Sequence, residues 1–339
     1  MITSHDKAKT PNASTLERAS VCRERSLATD PAALAAAAAV FPPISLDEMD
    51  AVKLLNRIDT KYLTSEEVLL RVLEDARAAG YRALETGGKN EIGTCNKQDG
   101  EQDGKQDSEQ DSETPGDTSG GKIAGYRTVY YDTPNLQMYL NHHNQRLVRQ
   151  KVRTRVYESS GDTYLEIKRK NNHGRTKKKR TGIAERELTD FHGDTAATAY
   201  LAGHSNYTAA ELSPALETTF RRITLVNPDR TERLTIDTSL HFENLRTGSS
   251  ADLERAVIIE LKQDGHAASA MKNILLDHRV KPLRISKYCI GITLTDPAAK
   301  SNRFKEKVRA IGKVTGIPPA TTAAARQTAA NPTHPDDNK

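Results

Sequence analysis

The sequence predicts an α+β fold, an antiparallel sheet of hairpin-connected strands with helices between strand pairs, and a sheet able to close into a barrel. Three patterns carry this. Charged and apolar or neutral residues alternate with period two in five separate segments, so each reads as a strand with one charged face. Polar turns, Ser159-Ser160-Gly161-Asp162 and Asn227-Pro228-Asp229, join strands as hairpins. Between them, apolar residues recur at helical spacing behind Ser or Thr caps.

In chain order, Arg57, Asp59 and Lys61 alternate along a first strand. Thr64 followed by Glu67 forms a capping box, and Val68, Leu69, Val72 and Leu73 continue at helical spacing to Gly80, a natural residue just past a helix end. Residues 126–131 are aromatic and β-branched, a strand that stops at Asp132-Thr133-Pro134, where a short helix through Tyr139 begins. Strands 147–157 and 164–170 make a hairpin. Segment 171–180, with Gly174, Lys177, Lys178, Lys179 and Arg180, reads as a basic loop or a nucleic-acid-type patch. A second hairpin pairs 220–226 with 233–238. A strand at 256–262, a helix at 267–278 and a terminal helix at 285–294, opened by Ser286, complete the pattern.

The charged faces point to a polyanion. Arg149, Lys151, Arg153 and Arg155 occupy alternate positions of 147–157, with Val148, Val152 and Val156 on the opposite parity. Like charges a few ångströms apart cost roughly 1 kcal/mol per pair even in bulk water, unless an anion sits among them or solvent screens them. Glu166, Lys168 and Lys170 share a face of the next strand, Glu260 and Lys262 of a later one, and Arg233, Thr235 and Asp237 of another. A flat sheet could turn such faces to water, and a closed barrel could gather them around a ligand. The two Glu-x-Lys patterns favour the inward version, because each sets a hard oxygen ligand two residues from a phosphate-binding cation.

Composition bounds the rest. The chain has 339 residues and a net charge of only +5, so bulk charge argues weakly for a polyanionic partner. Residues 1–46 and 298–339 read as tails flanking one domain at 47–297, and 87–122 reads as a disordered acidic insertion with almost no apolar residues. Cys22, Cys95 and Cys289 are scattered, which indicates a reducing, cytoplasmic setting without a zinc site or disulfide framework. The apolar run at 32–41 is too short to span a bilayer, leaving membrane association to a separate partner. With no Trp and five Phe, the chain offers few stacking platforms, and no nucleic-acid partner is expected.

Seven motifs, in order and at similar spacing, resemble the VTC domain, the polyphosphate polymerase family within the triphosphate tunnel metalloenzyme superfamily. They are Arg57-Ile58-Asp59-Thr60-Lys61-Tyr62, Tyr130-Tyr131-Asp132-Thr133-Pro134, Lys151-Val152-Arg153-Thr154-Arg155-Val156-Tyr157, Leu165-Glu166-Ile167-Lys168-Arg169-Lys170, Arg233-Leu234-Thr235-Ile236-Asp237-Thr238, Ile259-Glu260-Leu261-Lys262 and Ser286-Lys287-Tyr288. The match looks bacterial in type. It implies an eight-stranded antiparallel β-barrel, a tunnel with helices packed outside, whose lumen binds triphosphate and polyphosphate with Mn²⁺ or Mg²⁺. By the resemblance, Arg153, Arg155, Lys168, Arg233 and Glu260 are catalytic, and Lys61, Arg222, Lys179, Lys262, Arg284 and Lys287 bind phosphate. Glu260 would hold the metal. Glu166, facing the same lumen, would be a second metal ligand, an orienter of Arg153 or a plain salt-bridge partner, and Asp237 a comparable partner for Arg233. Tyr62 and Tyr288 read as packing residues.

Two positions depart from the superfamily pattern. Arg57 stands where triphosphate hydrolases carry an acid, which favours a polymerase-like lumen, and Arg284 replaces the lysine that usually precedes Ser-Lys-Tyr. The expected reaction is transfer of the ATP γ-phosphate to a growing inorganic polyphosphate chain. A hydrolase of tripolyphosphate or nucleoside triphosphates with the same fold, and a non-catalytic sensor of polyphosphate or inositol phosphates, are the alternatives.

Overall fold

The computed structural model describes residues 31–50, 57–86, 121–265 and 268–322. Its centre is an all-antiparallel ladder of eight strands, β2 (Arg57–Ser65), β4 (Ala124–Asp132), β5 (Arg149–Tyr157), β6 (Thr163–Lys170), β7 (Thr176–Gly182), β8 (Ser213–Val226), β9 (Glu232–Asn244) and β11 (Ala256–Asp264). Their spatial order is β2–β11–β9–β8–β4–β5–β6–β7. Short strands β1 (Pro43–Ile44), β3 (Arg82–Leu84), β10 (Ser250–Leu253) and β12 (Ala320–Thr322) extend its margins.

Strands β6 and β11 lie five positions apart, which in a flat sheet would separate them by about 24 Å. Glu260 on β11 and Lys61 on β2 nevertheless act on the charge of Lys168 on β6. The sheet therefore curls until its ends face each other. Among the described residues no ladder joins β2 to β7, so the predicted barrel is an open, curved sheet here. The free edge of the sheet is β7, whose consecutive cations Lys177 to Arg180 repel one another and disfavour docking of a further strand.

Helices cover the convex face, as the apolar alternation requires. Tyr62, Ile223, Leu234 and Ile259 are buried under α1 (Pro31–Ala39), α3 (Glu66–Ala78) and α6 (Ala270–Asp277). Val129, Val152 and Ile167 are buried under α5 (Thr195–His204) with Leu188 and Phe191. Helix α7 (Lys287–Thr295) packs at one end of the sheet, with Tyr288, Cys289 and Ile292 near Leu216 and Phe242. Two short helices, α2 (Leu46–Asp50) and α4 (Gln137–His143), complete the central part.

Several sequence expectations are corrected. Residues from Pro31 onward are not a tail, because Leu34, Ala38 and Phe41 are buried against α3. Nor is 299–322, where α8 (Lys305–Thr315) buries Ile311, Phe304 just before it is buried too, and β12 pairs with β10, while 323–339 lie outside the described residues. The alanine-rich helix is apolar all round and so shows no stripe, whereas α8 carries its apolar stripe within a lysine-rich segment. The basic segment predicted as a loop is strand β7. Ser65, one residue past the predicted Thr64, caps α3, with its hydroxyl accepting from Val68 N. Of the acidic insertion, 87–120 lies outside the described residues, as do Cys22 and Cys95. Its flanks meet, Thr86 N donating to Gly121 O at 2.8 Å.

Candidate phosphate-binding site

Residues directly opposed on neighbouring strands share a face, and the register threads the predicted cations onto the concave one. Lys61 faces Glu260, and Glu260 faces Thr235. Lys262 faces Arg233, and Arg222 faces Asp237. Arg155 faces Thr128, Arg153 lies between Tyr130 and Glu166, and Lys151 faces Lys168. Lys168 in turn faces Lys178.

Three carboxylates hold this cationic face together, each between two cations. Glu166 accepts from Arg153 Nε at 2.7 Å and sits 2.5 Å from Lys178 Nζ. Asp237 takes a bidentate contact from Arg222, at 2.6 and 2.9 Å, and a short one from Lys287. Glu260 lies 2.7 Å from Lys61 Nζ and 3.3 Å from Lys262 Nζ. Burial works to raise the pKa of each acid, but the flanking cations outweigh it and hold all three well below the usual carboxylate range. The converse appears at Lys262, where burial, opposed by Glu260 but joined by Arg222 and Lys61, brings the ammonium down to about 8.

Arg155 differs from the others. It is buried, its Nε donates to Thr128 Oγ1 at 2.9 Å, its guanidinium stands 5.4 Å from the Tyr126 ring centre, and no carboxylate pairs with it among the described residues. Burial and the neighbouring Arg153 push its pKa down. A buried, uncompensated guanidinium is best satisfied by an incoming anion. Tyr130, whose hydroxyl accepts from Arg153 at 3.4 Å, is pulled down to about 8 because Arg153, Lys151 and Arg155 outweigh its burial.

Helix α7 contributes its first turn. Ser286 caps it by accepting from Cys289 N at 3.4 Å, and the same hydroxyl accepts from Lys151 Nζ at 2.8 Å. Lys287 reaches Asp237 and lies 4.4 Å from the Phe220 ring centre. The seat of α7 is fixed by Tyr288, which donates to the buried Asp132, a carboxylate that also accepts from Met138 N and Tyr139 N.

Of the predicted site residues, Lys61, Arg153, Arg155, Lys168, Arg222, Arg233, Lys262, Lys287, Glu166 and Glu260 therefore share one face or its α7 end. Arg284 is exposed just before α7. Lys179 faces Ile167 and so points to the convex side, while Lys178 takes the concave position. A run of consecutive cations carries no alternation, so sequence parity could not choose between them. Asp237 pairs with Arg222 rather than Arg233. Lys151 and Tyr130 complete the face, Lys151 being signalled by the same period-two pattern as its neighbours. The Arg57 side chain lies outside the described residues.

Lys151, Arg153, Glu166, Lys168 and Lys178 enclose a hollow of only about 20 Å³, since their own ion pairs fill the concavity. A far larger depression, about 790 Å³, lies at the turn between β5 and β6 beside Asp162, Glu185, Glu187 and Asp194. Its acidic lining suits phosphate poorly.

No cluster of three His, Cys, Asp or Glu side chains occurs among the described residues. The donor set instead fits a divalent ion that takes one carboxylate from protein and the rest from phosphate oxygens and water, the usual habit of Mg²⁺. Glu260 fits that role, being 20% exposed and paired with two lysines rather than clamped by a guanidinium. Glu166 is 2% exposed and gripped by Arg153, which is the arrangement of an orienter rather than a metal ligand.

A model of the VTC domain matches residues 56–295, most of the chain. The chain belongs to the VTC domain family. No curated protein matches it. Among solved structures, a candidate adenylate cyclase from Bacillus halodurans is 14% identical, covers 68% of this chain and 96% of its own, and has a TM-score of 0.40. One from Vibrio parahaemolyticus is 9% identical over 70% and 99% of the two chains, TM-score 0.36. A candidate adenylyl cyclase from Hippeastrum, described as having a dominant triphosphatase activity, is 12% identical over 70% and 95%, TM-score 0.38. Helices α1 and α8 and strand β12 lie outside the matched VTC residues.

Proposed function

We propose that this VTC protein is a cytoplasmic polyphosphate polymerase, transferring the γ-phosphate of ATP to the end of an inorganic polyphosphate chain. The observation that carries the reading is the single concave face on which cations from β2, β5, β6, β7, β8, β9 and β11 converge and outnumber the carboxylates among them. An anionic chain lying against the cationic edge strand β7 would relieve the repulsion among Lys177 to Arg180.

Phosphoryl transfer needs alignment and charge neutralisation more than covalent help from protein. The β and γ phosphates of ATP would lie on Arg153, Arg155, Lys168 and Arg233, with Lys178 beside them. Lys61, Arg222, Lys262 and Lys287 would hold the acceptor chain and its product. Arg284, exposed before α7, would meet the chain at the tunnel mouth. A terminal phosphate oxygen attacks the γ phosphorus, the bond to the β-bridging oxygen breaks, and ADP departs with the electron pair. The attacking oxygen is already ionised, so no general base is required. Glu166 keeps the Arg153 guanidinium aimed into the hollow. Mn²⁺ or Mg²⁺ held by Glu260 would neutralise charge on the transferred group.

The test is incubation of purified protein with ATP and Mn²⁺, separating products on a gel stained for polyphosphate and assaying ADP and orthophosphate in parallel. A polymer ladder with matching ADP, lost in Glu260→Gln, supports the polymerase. Orthophosphate without polymer would make the protein a hydrolase, and polyphosphate binding with neither product would make it a sensor.

A further inference from the structure

Inside the concavity most cations have a carboxylate, but at the end where β5 begins the pattern stops. Arg149 faces Lys170 across the β5–β6 ladder, one step beyond the Lys151–Lys168 pair and so about 7 Å further along the strands. Lys307, from α8, lies 5.7 Å from the Phe304 ring centre, and Phe304 packs 6.2 Å from the ring of His142. The C-terminal segment is pinned there, with Arg303 N donating to His143 Nε2 at 3.4 Å and Tyr139 donating to Lys300 O at 2.9 Å. Lys151, Arg149, Lys307 and Lys170 all bear on His142, which burial and these four charges hold neutral, its pKa brought down to about 3.

None of Arg149, Lys151, Lys170 and Lys307 makes an ion pair among the described residues, in contrast to Lys61, Arg153, Lys178, Arg222, Lys262 and Lys287. Four uncompensated cations drawn together at one rim are costly without an anion among them. One of them comes from a helix outside the matched VTC residues, so the C-terminal segment adds a cation to a rim begun by β5 and β6.

We propose that this rim, formed by Arg149, Lys170 and Lys307 around His142, is a second phosphate-binding surface that grips a polyphosphate chain where it leaves the concave face. The inference rests on the polyphosphate reading of that face. It assigns α8 the task of holding long chains, which would keep the product attached between additions. A tripolyphosphate seated within the concavity would not reach it, whereas a long chain would span both.

The test compares affinities for tripolyphosphate and for polyphosphate of about one hundred units, by calorimetry at fixed salt, in the wild type, in Lys170→Glu/Lys307→Glu and in the charge-keeping Lys307→Arg. Loss of two phosphate contacts is expected to weaken long-chain binding by on the order of tenfold or more, while tripolyphosphate binding changes less than twofold. Lys307→Arg should bind both like the wild type, and matching melting temperatures check that α8 stays docked. Equal weakening toward both lengths, or none toward the long chain, would overturn the rim. If the wild type bound neither, the fault would lie with the polyphosphate reading itself. Wild-type flotation with phosphatidylserine vesicles, lost in the double variant while long-chain affinity stays unchanged, would reassign the rim to a membrane surface.

Discussion

Replacing Glu260 by Gln keeps the side-chain shape and removes the charge that Lys61 and Lys262 share at 2.7 and 3.3 Å. At an effective dielectric of about 20, each contact carries a gross attraction of about 5 to 6 kcal/mol. Rehydration of the released ammonium groups returns most of it, and losing one partner of a buried pair typically costs about 3 to 5 kcal/mol. Lys61 is 33% exposed, so the lower end applies, and a fall in melting temperature of roughly 10 °C is expected at pH 7. The penalty should shrink in excess tripolyphosphate, whose oxygens replace the lost charge. It should also shrink as pH rises. The folded-state pKa of Lys262, about 8, lies below the ordinary lysine value, so above it the unfolded chain binds more protons and stability rises with pH. Without Glu260 that ammonium is lower still and its cost disappears sooner. The assay is thermal melting at pH 7 and 9, with and without tripolyphosphate, alongside ATP turnover, which should drop by orders of magnitude. A variant that melts like the wild type under all four conditions, or that turns over ATP at the wild-type rate, would refute the assignment of Glu260.

Further outcomes follow from the same geometry. Lys178→Ala should weaken tripolyphosphate binding about fivefold to tenfold, whereas Lys179→Ala, which alters the convex face, should change it less than twofold by the same calorimetry. In a pH profile, kcat/KM should fall as pH rises through about 8, where free-enzyme Lys262 loses its proton, and Lys262→Arg should move that fall upward. Gly291→Ala would set a Cβ 2.4 Å from Leu216 Cδ2 and 2.8 Å from Phe242 Cδ1, so unseating α7 should cost about 1 to 3 kcal/mol in a denaturant melt.

The period-two pattern was readable because a strand places alternate side chains on opposite faces whatever its neighbours do. It therefore exposed Arg153, Arg155, Lys168 and Glu260 as members of charged faces before any fold was known. Caps were readable for a similar local reason: Ser286 satisfies the first turn of α7 through Cys289 N, three residues away. The limits were also local in origin. Four successive cations from Lys177 to Arg180 have no period, so neither the strand nor the face of Lys178 could be read. The alanine-rich Pro31–Ala39 helix has little amphipathic signal, and only the groove it fills, over Leu69 and Val72, makes it part of the core.

By itself the sequence determined that this chain has charged strand faces, hairpins and capped helices, because those depend on neighbours a few residues apart. Tertiary structure alone decided which charges meet. Glu260 finds Lys61 from a strand about two hundred residues earlier, Asp237 finds Arg222 rather than Arg233, and Lys307 from the supposed tail joins Arg149 and Lys170. Coulomb energy depends on distance in space, and only the curl of the sheet sets those distances.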